Sequence, residues 1–408
     1  MKILYVSQYY PPEIGAPAAR VSELARLWAD RGHEVTVLTA FPQHPFGRKL
    51  PGDRGVWTRR ERDGQVDVVR TYIFAGPNAG FWRRIASFVS FMLSAMLIGP
   101  FRVGRPDVVI ATSPQLFTAV AGRWISWIKR APFVFEVRDL WPELPRALGL
   151  RNPFVLGGMS LLEFLGYRSA DACIGLAPGI VEGIRRRAAE SLPVATIPNG
   201  CDLEVFHPSR RAPLDLPGVA PDDFVAGFTG AHGVANGLDA LLDVALELKR
   251  RGDRRVKLAF FGDGKEKERL VARAAELGLA NCLFFPPVPK ERLGAITASL
   301  GCGLMTLKDV PAFYQGTSPN KFFDYVAAGL PVVNNYPGWL AGLIRDHECG
   351  IVVPPGDPAA FADALQRLAA DPAACRVMGA AARALAEKQF ARPLLSARFV
   401  ATLEAACP

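Results

Sequence analysis

At 408 residues the chain is too long for one ordinary hydrophobic core and predicts two domains. Half of its residues are hydrophobic and 21% are charged, which excludes a disordered chain. The net charge of +9 is unevenly placed: residues 1–200 carry 25 Lys and Arg against 16 Asp and Glu, whereas residues 201–408 carry 23 against 23. A basic half beside a neutral half predicts a surface for an anionic membrane or an anionic substrate. Nucleic acid is set aside, because no reader motif accompanies the charge. Seven scattered cysteines without a Cys-x-x-Cys fit neither a disulfide frame nor a zinc site. Tyr and Pro interrupt the N-terminus before an apolar run builds, so no signal peptide is expected and the chain is placed in the cytoplasm.

Taken in chain order, Lys2 to Ser7 reads as a short buried strand ending in a proline-rich loop. A helix-period stretch follows from Ala18 to Arg31, is stopped by Gly32, and gives way to a second strand at His33–Leu38. Strand, loop, helix and strand in that order make a βαβ unit with a parallel sheet. Further strands are predicted at Val66–Tyr72, Asp107–Ala111, Phe133–Val137, Ala172–Gly175 and Val194–Ile197. The pattern restarts at Asp223–Phe228, followed by a helix over Leu238–Arg250 and strands at Val256–Phe261, Asn281–Phe285, Cys302–Met305, Val332–Asn334 and Gly350–Val353. Pro208 to Pro221, with four prolines, reads as the linker. The expected fold is α/β: two Rossmann-like doubly wound domains facing across a cleft, with ligands outside the carboxyl ends of the strands. The expected boundaries are 1–207, 208–385, and a C-terminal segment 386–408 returning as a helix towards the first domain.

Residues Ile85 to Phe101 are seventeen without a charge, flanked by Arg83, Arg84 and Arg102. As a helix they reach about 25 Å, short of a bilayer core, and spanning would separate two halves of one parallel sheet. Two readings stay open: a helix covering the sheet, or one lying in the plane of a membrane interface. Phe81-Trp82-Arg83-Arg84 and the run Arg123–Arg130, which holds Trp124, Trp127, Lys129 and Arg130, interleave tryptophan with basic residues. That mixture suits headgroup level, although tryptophans are also common in cores.

The loop Pro11–Ala18 leads into a helix N-terminus, where unpaired N–H groups favour an anion such as a diphosphate; an ordinary turn is the alternative. Gly15 and Ala16 allow close backbone approach. No G-x-G-x-x-G stands in the first βαβ unit and no P-loop occurs anywhere, which argues against a dinucleotide oxidoreductase and a P-loop nucleotidase. Gly262-Asp263-Gly264-Lys265, between strand and helix, is either a phosphate loop countered by Lys265 or a plain turn. Asn199-Gly200 is a turn pair.

Five segments in order carry a specific resemblance: PPEIGAPAARVSELARLWADRGHEVTVLT after the first strand, EVRDLWPE, IPNGCDLEVFHP, GDGKEKERL and PNKFFDYVAAGLPVV. Over residues 1–390 the chain resembles the family 4 retaining glycosyltransferases of GT-B fold, and especially the branch that assembles O-antigen, colanic acid and other bacterial exopolysaccharides.

The resemblance implies roles for individual positions. Gly15 and Ala16 fall on the loop facing the donor diphosphate and reacting sugar. Ser318, Asn320 and Lys321 fall on a loop and helix N-terminus facing the same phosphates, with Lys321 stabilising the leaving group. Asp324 takes the place of the family's ribose-binding glutamate, Val288 falls where backbone meets the base, and Asn199 and Gly200 shape the cleft wall. Many relatives have His-Asp where this chain has Arg138-Asp139. Arg138 is expected to contact a phosphate and Asp139 to orient an acceptor hydroxyl, against the plainer alternative of a local ion pair.

Three departures stand out. Gly316 replaces the first of the family's two glutamates, Asp324 is shorter than the second, and Gly230-Ala231-His232-Gly233 replaces the usual Arg and Lys, leaving Gly230, His232 and Lys265 to meet phosphate. The implied reaction is metal-independent front-face transfer with no cofactor, since no D-x-D cluster or His/Cys ligand set is visible. It runs from a UDP-sugar, best an N-acetylated amino sugar, to a lipid-linked saccharide at the inner face of the membrane. The alternatives are an inactive nucleotide-sugar-binding scaffold and a nucleotide-sugar 2-epimerase of the same fold.

Overall fold

The structure, a computed structural model, describes residues 1–13, 15–43, 47–76, 80–147 and 149–407, and for Phe81 and Gln315 the backbone alone. Ile14 of the first loop lies outside the described residues. The chain divides into two compact units: residues 1–198 with 395–408, and residues 199–394.

Unit 1 is built on eight strands: β1 Lys2–Val6, β2 Glu34–Ala40, β3 Thr58–Asp63, β4 Val66–Thr71, β5 Val108–Thr112, β6 Phe133–Val137, β7 Ala172–Gly175 and β8 Val194–Thr196. Their order across the sheet is β3-β4-β2-β1-β5-β6-β7-β8. All neighbours run parallel except β3, which pairs antiparallel with β4. β5 and β6 are buried at every residue, as a parallel strand covered on both faces must be. β3 escapes the sequence reading because five of its six residues are charged. At a sheet edge those charges stay solvated and discourage further pairing.

One face of the unit 1 sheet packs on helix Ala16–Asp30 and on helix Arg392–Ala406, whose Leu395, Phe399 and Leu403 share a core with Ile3, Tyr5, Trp28 and Ile110. Trp28 lies between Tyr5 (ring centroids 5.5 Å) and Phe399 (5.0 Å). The other face carries helices Phe81–Arg102, Leu116–Lys129 and Pro153–Ser169. Gly122 brings the middle one close: a Cβ there would lie 2.7 Å from Ala111 Cβ and 2.9 Å from the Phe133 ring. The long apolar segment is therefore a sheet-covering helix on its inner side, where Phe91 and Ala95 are fully buried.

Unit 2 holds six parallel strands: β9 Phe224–Thr229, β10 Val256–Phe261, β11 Cys282–Phe285, β12 Cys302–Met305, β13 Val332–Asn334 and β14 Gly350–Val352, ordered β11-β10-β9-β12-β13-β14. Helices Asp239–Arg250 and Pro358–Ala370 bury Leu241, Leu242, Phe361 and Leu365 on one face. Helices Asn320–Ala327 and Pro372–Leu385 bury Phe322, Tyr325 and Leu385 on the other.

Because Phe399 completes the unit 1 core, Phe399→Ala is expected to lower the unfolding free energy by about 3 kcal/mol. The exposed Val377→Ala on helix Pro372–Leu385 should stay within about 0.5 kcal/mol. Urea midpoints at constant m-value check the difference.

Candidate active site

In unit 2 the chain lays β10 and β11 on one side of β9 and then crosses to place β12, β13 and β14 on the other. The loops leaving β9 and β12 therefore diverge, and the carboxyl edge between them is the open position of such a sheet. Tyr325 anchors helix Asn320–Ala327 there: its hydroxyl accepts the Thr229 N–H at 2.8 Å and donates to the Gly227 carbonyl at 3.2 Å. Pro319 provides no side-chain cap; the Phe322 N–H turns back to the Pro319 carbonyl at 3.1 Å, and the N–H groups ahead of it stand at the open helix N-terminus. Asn199 holds the preceding loop, donating its N–H to Ser318 Oγ (3.0 Å) and its Nδ2 to the Ser318 carbonyl (2.6 Å). Asn199, Ser318 and Asn320 thus meet at one helix N-terminus. Asp324, one turn further on, is half-buried; burial raises the Cys201 thiol pKa, and the Asp324 charge nearby adds to that.

Lys321 Nζ lies 3.6 Å from the centroid of the Phe228 ring and donates to Asn236 Oδ1 at 3.1 Å. It stands beside Gly230, where a Cβ would lie 3.4 Å from Lys321 Cε. Burial lowers its pKa from the usual lysine range to about 7. Asn236 in turn donates Nδ2 to the Ala231 carbonyl (2.7 Å), so it ties the loop after β9 to the lysine. A lone Asn in a turn carries no signal in sequence, so Asn236 stands out only in the structure.

His232 is fully buried against the rings of Phe228, Phe260 and Phe284. Burial brings its pKa down to about 4, so at neutral pH it bears no charge, and neither ring nitrogen has a partner. Its backbone does the holding: the N–H donates to the Asp263 carbonyl (2.8 Å) and the carbonyl accepts from Glu266 (3.0 Å). Lys265 points outward from this turn, whereas Lys267 Nζ donates to the carbonyls of Gly262 (2.8 Å) and Phe285 (3.0 Å). Two lysines two positions apart look alike in the sequence, and only the turn geometry separates the exposed from the anchoring one. Val288 is half-buried past the end of β11.

In unit 1, Gly15 and Ala16 are exposed at the start of helix Ala16–Asp30, which has no side-chain cap. Arg138 follows β6 and is buried; its N–H donates to Ser113 Oγ at 2.7 Å. It makes no ion pair with Asp139, and its Nη1 is buried without a partner. Desolvation pulls the Arg138 pKa down, with Glu136 opposing, and pushes the Asp139 carboxyl up, with Arg138 opposing. Glu136 itself is fully buried, where Arg20 Nε (2.8 Å) and the Tyr5 hydroxyl (2.6 Å) donate to it. Glu136 is thus hydrogen-bonded by Arg20 and Tyr5, while Arg138 acts on it by charge alone.

The remaining candidates lie on the helices that cover the other face of unit 1. Trp82, Arg83 and Arg84 are exposed at the start of helix Phe81–Arg102; Trp124, Trp127 and Arg130 are exposed on and after the neighbouring helix, and Lys129 donates to the Val103 carbonyl at 3.1 Å. The outward side of these helices also exposes Leu97 (70%) and Phe101 (88%), and helix Pro153–Ser169 adds Phe154 (88%) and Leu161. Among the described residues, no group of three or more His, Cys, Asp or Glu could hold a metal.

The loops after β9 and β10 touch through glycine: a Cβ on Gly262, at φ 151°, would lie 2.0 Å from the Gly230 carbonyl oxygen. Gly262→Ala must push the Gly230 loop off Lys321, so nucleotide affinity should fall at least tenfold while circular dichroism stays unchanged.

Comparison with known proteins agrees with this architecture. Residues 15–200 match the Glycosyl transferase 4-like domain and residues 223–371 the Glycosyl transferases group 1 domain. A colanic acid biosynthesis glycosyl transferase of Escherichia coli (strain K12), WcaI, is 25% identical over 341 residues, covering 81% of this chain and 82% of its own. Among solved structures, sucrose-phosphate synthase from Thermosynechococcus elongatus superposes with TM-score 0.76 at 18% identity, over 99% of this chain and 98% of that one. Anabaena HepE in complex with UDP and glucose follows at 0.73 and 18%, over 99% and 100%. The chain belongs to the family 4 glycosyltransferases of GT-B fold and is related to a colanic acid biosynthesis enzyme.

Proposed function

We propose that this glycosyltransferase moves a sugar, best an N-acetylated amino sugar, from a UDP-sugar to a lipid-linked saccharide at the inner membrane face during surface polysaccharide synthesis. The observation that carries the donor half is the cradle in unit 2. An uncapped helix N-terminus and the Lys321 ammonium share one strand edge, where a leaving diphosphate needs positive charge. The Anabaena relative of this fold was solved with UDP and glucose, which supports the same donor class. Bond cleavage leaves negative charge on the diphosphate. Fixed N–H groups and a lysine already out of water stabilise it without reorganising, and no metal is required of this chain. The transfer retains configuration by front-face attack.

The membrane half rests on the outer side of the three helices of unit 1. They expose Trp82, Leu97, Phe101, Trp127, Phe154 and Leu161, and their one carboxylate, Glu163, is buried against Tyr167 and Arg187. Arg83, Arg84, Arg102, Arg123 and Arg168 stand on the same helices. An apolar face with basic margins and no exposed acid suits an anionic lipid surface. The helix Trp82–Arg102 is long and apolar enough to cross a membrane, but its burial on the sheet favours lying in the plane.

Nucleoside-diphosphate release from a panel of nucleotide sugars, with and without bacterial lipid extract, tests the reaction. One donor should require the lipid, and Lys321→Ala should lower release at least tenfold; tight nucleotide binding with no release for any donor would overturn the proposal. A bound diphosphate raises the Lys321 pKa from about 7, so binding takes up a proton above that pH. Affinity should be level below pH 7 and then fall roughly tenfold per pH unit towards pH 9, seen by calorimetry in buffers of different ionisation enthalpy. Lys321→Arg should flatten that slope. Co-sedimentation should show binding to phosphatidylglycerol vesicles over phosphatidylcholine, with Leu97→Asp/Phe101→Asp losing at least tenfold.

A further inference from the structure

The strand order of unit 1 also reverses. From β1 the chain fills the side holding β2 and β4, then returns to lay β5, β6, β7 and β8 on the other. β1 pairs with β5 as far as Val6↔Ala111, and β5 with β6 as far as Thr112↔Glu136. Gln8, Ser113 and Arg138 therefore follow the carboxyl ends of three adjacent strands at the position where such sheets bind ligands.

Two of these side chains are incomplete. Gln8 is 2% exposed, and neither its Oε1 nor its Nε2 has a partner. Arg138 is 8% exposed, with Nη1 buried and unpartnered. Neighbouring groups do not fill the gap. The Glu136 carboxylate is held by Arg20 and Tyr5, and the Arg20 Nη atoms are spent on the carbonyls of Pro198 (2.9 Å) and Ile197 (3.0 Å). Asp139, the next residue, makes no ion pair with Arg138, which removes the plainer reading of that dipeptide. A buried guanidinium nitrogen and a buried amide that lack hydrogen-bond partners each oppose folding. Their retention past the ends of β1 and β6, on either side of β5 at one ligand-binding edge, is accounted for by a ligand that completes them.

We propose that unit 1 contains an anion subsite in which Arg138 binds a phosphate or carboxylate of the acceptor and Gln8 a hydroxyl beside it. This rests on the transferase reading and adds to it that the acceptor is anionic. A guanidinium fork matches two oxygens of either anion, and a carboxamide offers the one donor and one acceptor that a sugar hydroxyl uses. The anion has two possible sources: the phosphate of a polyprenyl carrier, or the carboxylate of a uronic-acid residue in the acceptor glycan.

Calorimetric titration of the full chain separates them, using farnesyl phosphate against farnesol in detergent, and methyl glucuronide against methyl glucoside. In one pair the anionic member should bind at least tenfold tighter. Arg138→Gln should bring it to the level of the neutral member and Gln8→Leu should weaken it about tenfold, while UDP affinity stays within twofold and reports an intact fold. A response in the first pair assigns the carrier phosphate; in the second, the glycan carboxylate. No preference in either pair, or a preference that survives Arg138→Gln, overturns the subsite. An enzyme that turns over a UDP-sugar but lacks the preference would keep its proposed function and lose only this inference. The preference without turnover would do the reverse.

Discussion

In both units the chain leaves its first strand towards one side of a parallel sheet and later fills the other side. The connections then part above the carboxyl ends, and backbone there cannot be covered by the sheet's own helices. This topological constraint decides where polar groups can be held ready. Between β9 and β12 it exposes the uncapped N-terminus of helix Asn320–Ala327 beside Lys321. Around the carboxyl ends of β1, β5 and β6 it places Gln8 and Arg138, both buried. Tyr325, bonded to β9, and Asn199, bonded to Ser318, hold the first of these edges rigid.

The charges at these edges are kept at a cost. Lys321 has lost enough water for its pKa to fall to about 7, beside a ring face and one amide oxygen. Arg138 is desolvated beside the ion pair of Arg20 and Glu136. Groups held in this state gain most when an anion arrives, because little reorganisation remains to be done. His232 behaves oppositely. Enclosed by phenylalanines, it stays neutral, and its value lies in the backbone bonds that join the loops after β9 and β10.

The helices over the other face of unit 1 meet two demands at once. Phe91 and Ala95 close the sheet, while Leu97 and Phe101 on the same helix are left outside. An apolar helix can serve a core and an interface together only if its neighbours leave the outer side open. Helices Leu116–Lys129 and Pro153–Ser169 do so, exposing Trp127, Phe154 and Leu161 of their own.

By itself the sequence determined the fold class, the two-fold repetition of parallel sheets and most strand positions, because parallel strands buried on both faces are continuous apolar runs. It also marked Lys321, Asn199 and Arg138 through motifs of fixed local order. It did not reveal β3, whose charged residues become a strand only by pairing with β4. Nor did it separate Lys265 from Lys267, or show that Arg138 lacks the partner Asp139 offered in sequence, since both depend on where side chains end in space. Gln8 and Asn236 carried no signal, for a single amide acquires a role only from the neighbours that satisfy it or fail to. Local pattern determines which segments become strands and helices. Only the tertiary structure decided which polar groups were left incomplete, because burial and partnership belong to residues far apart in the chain.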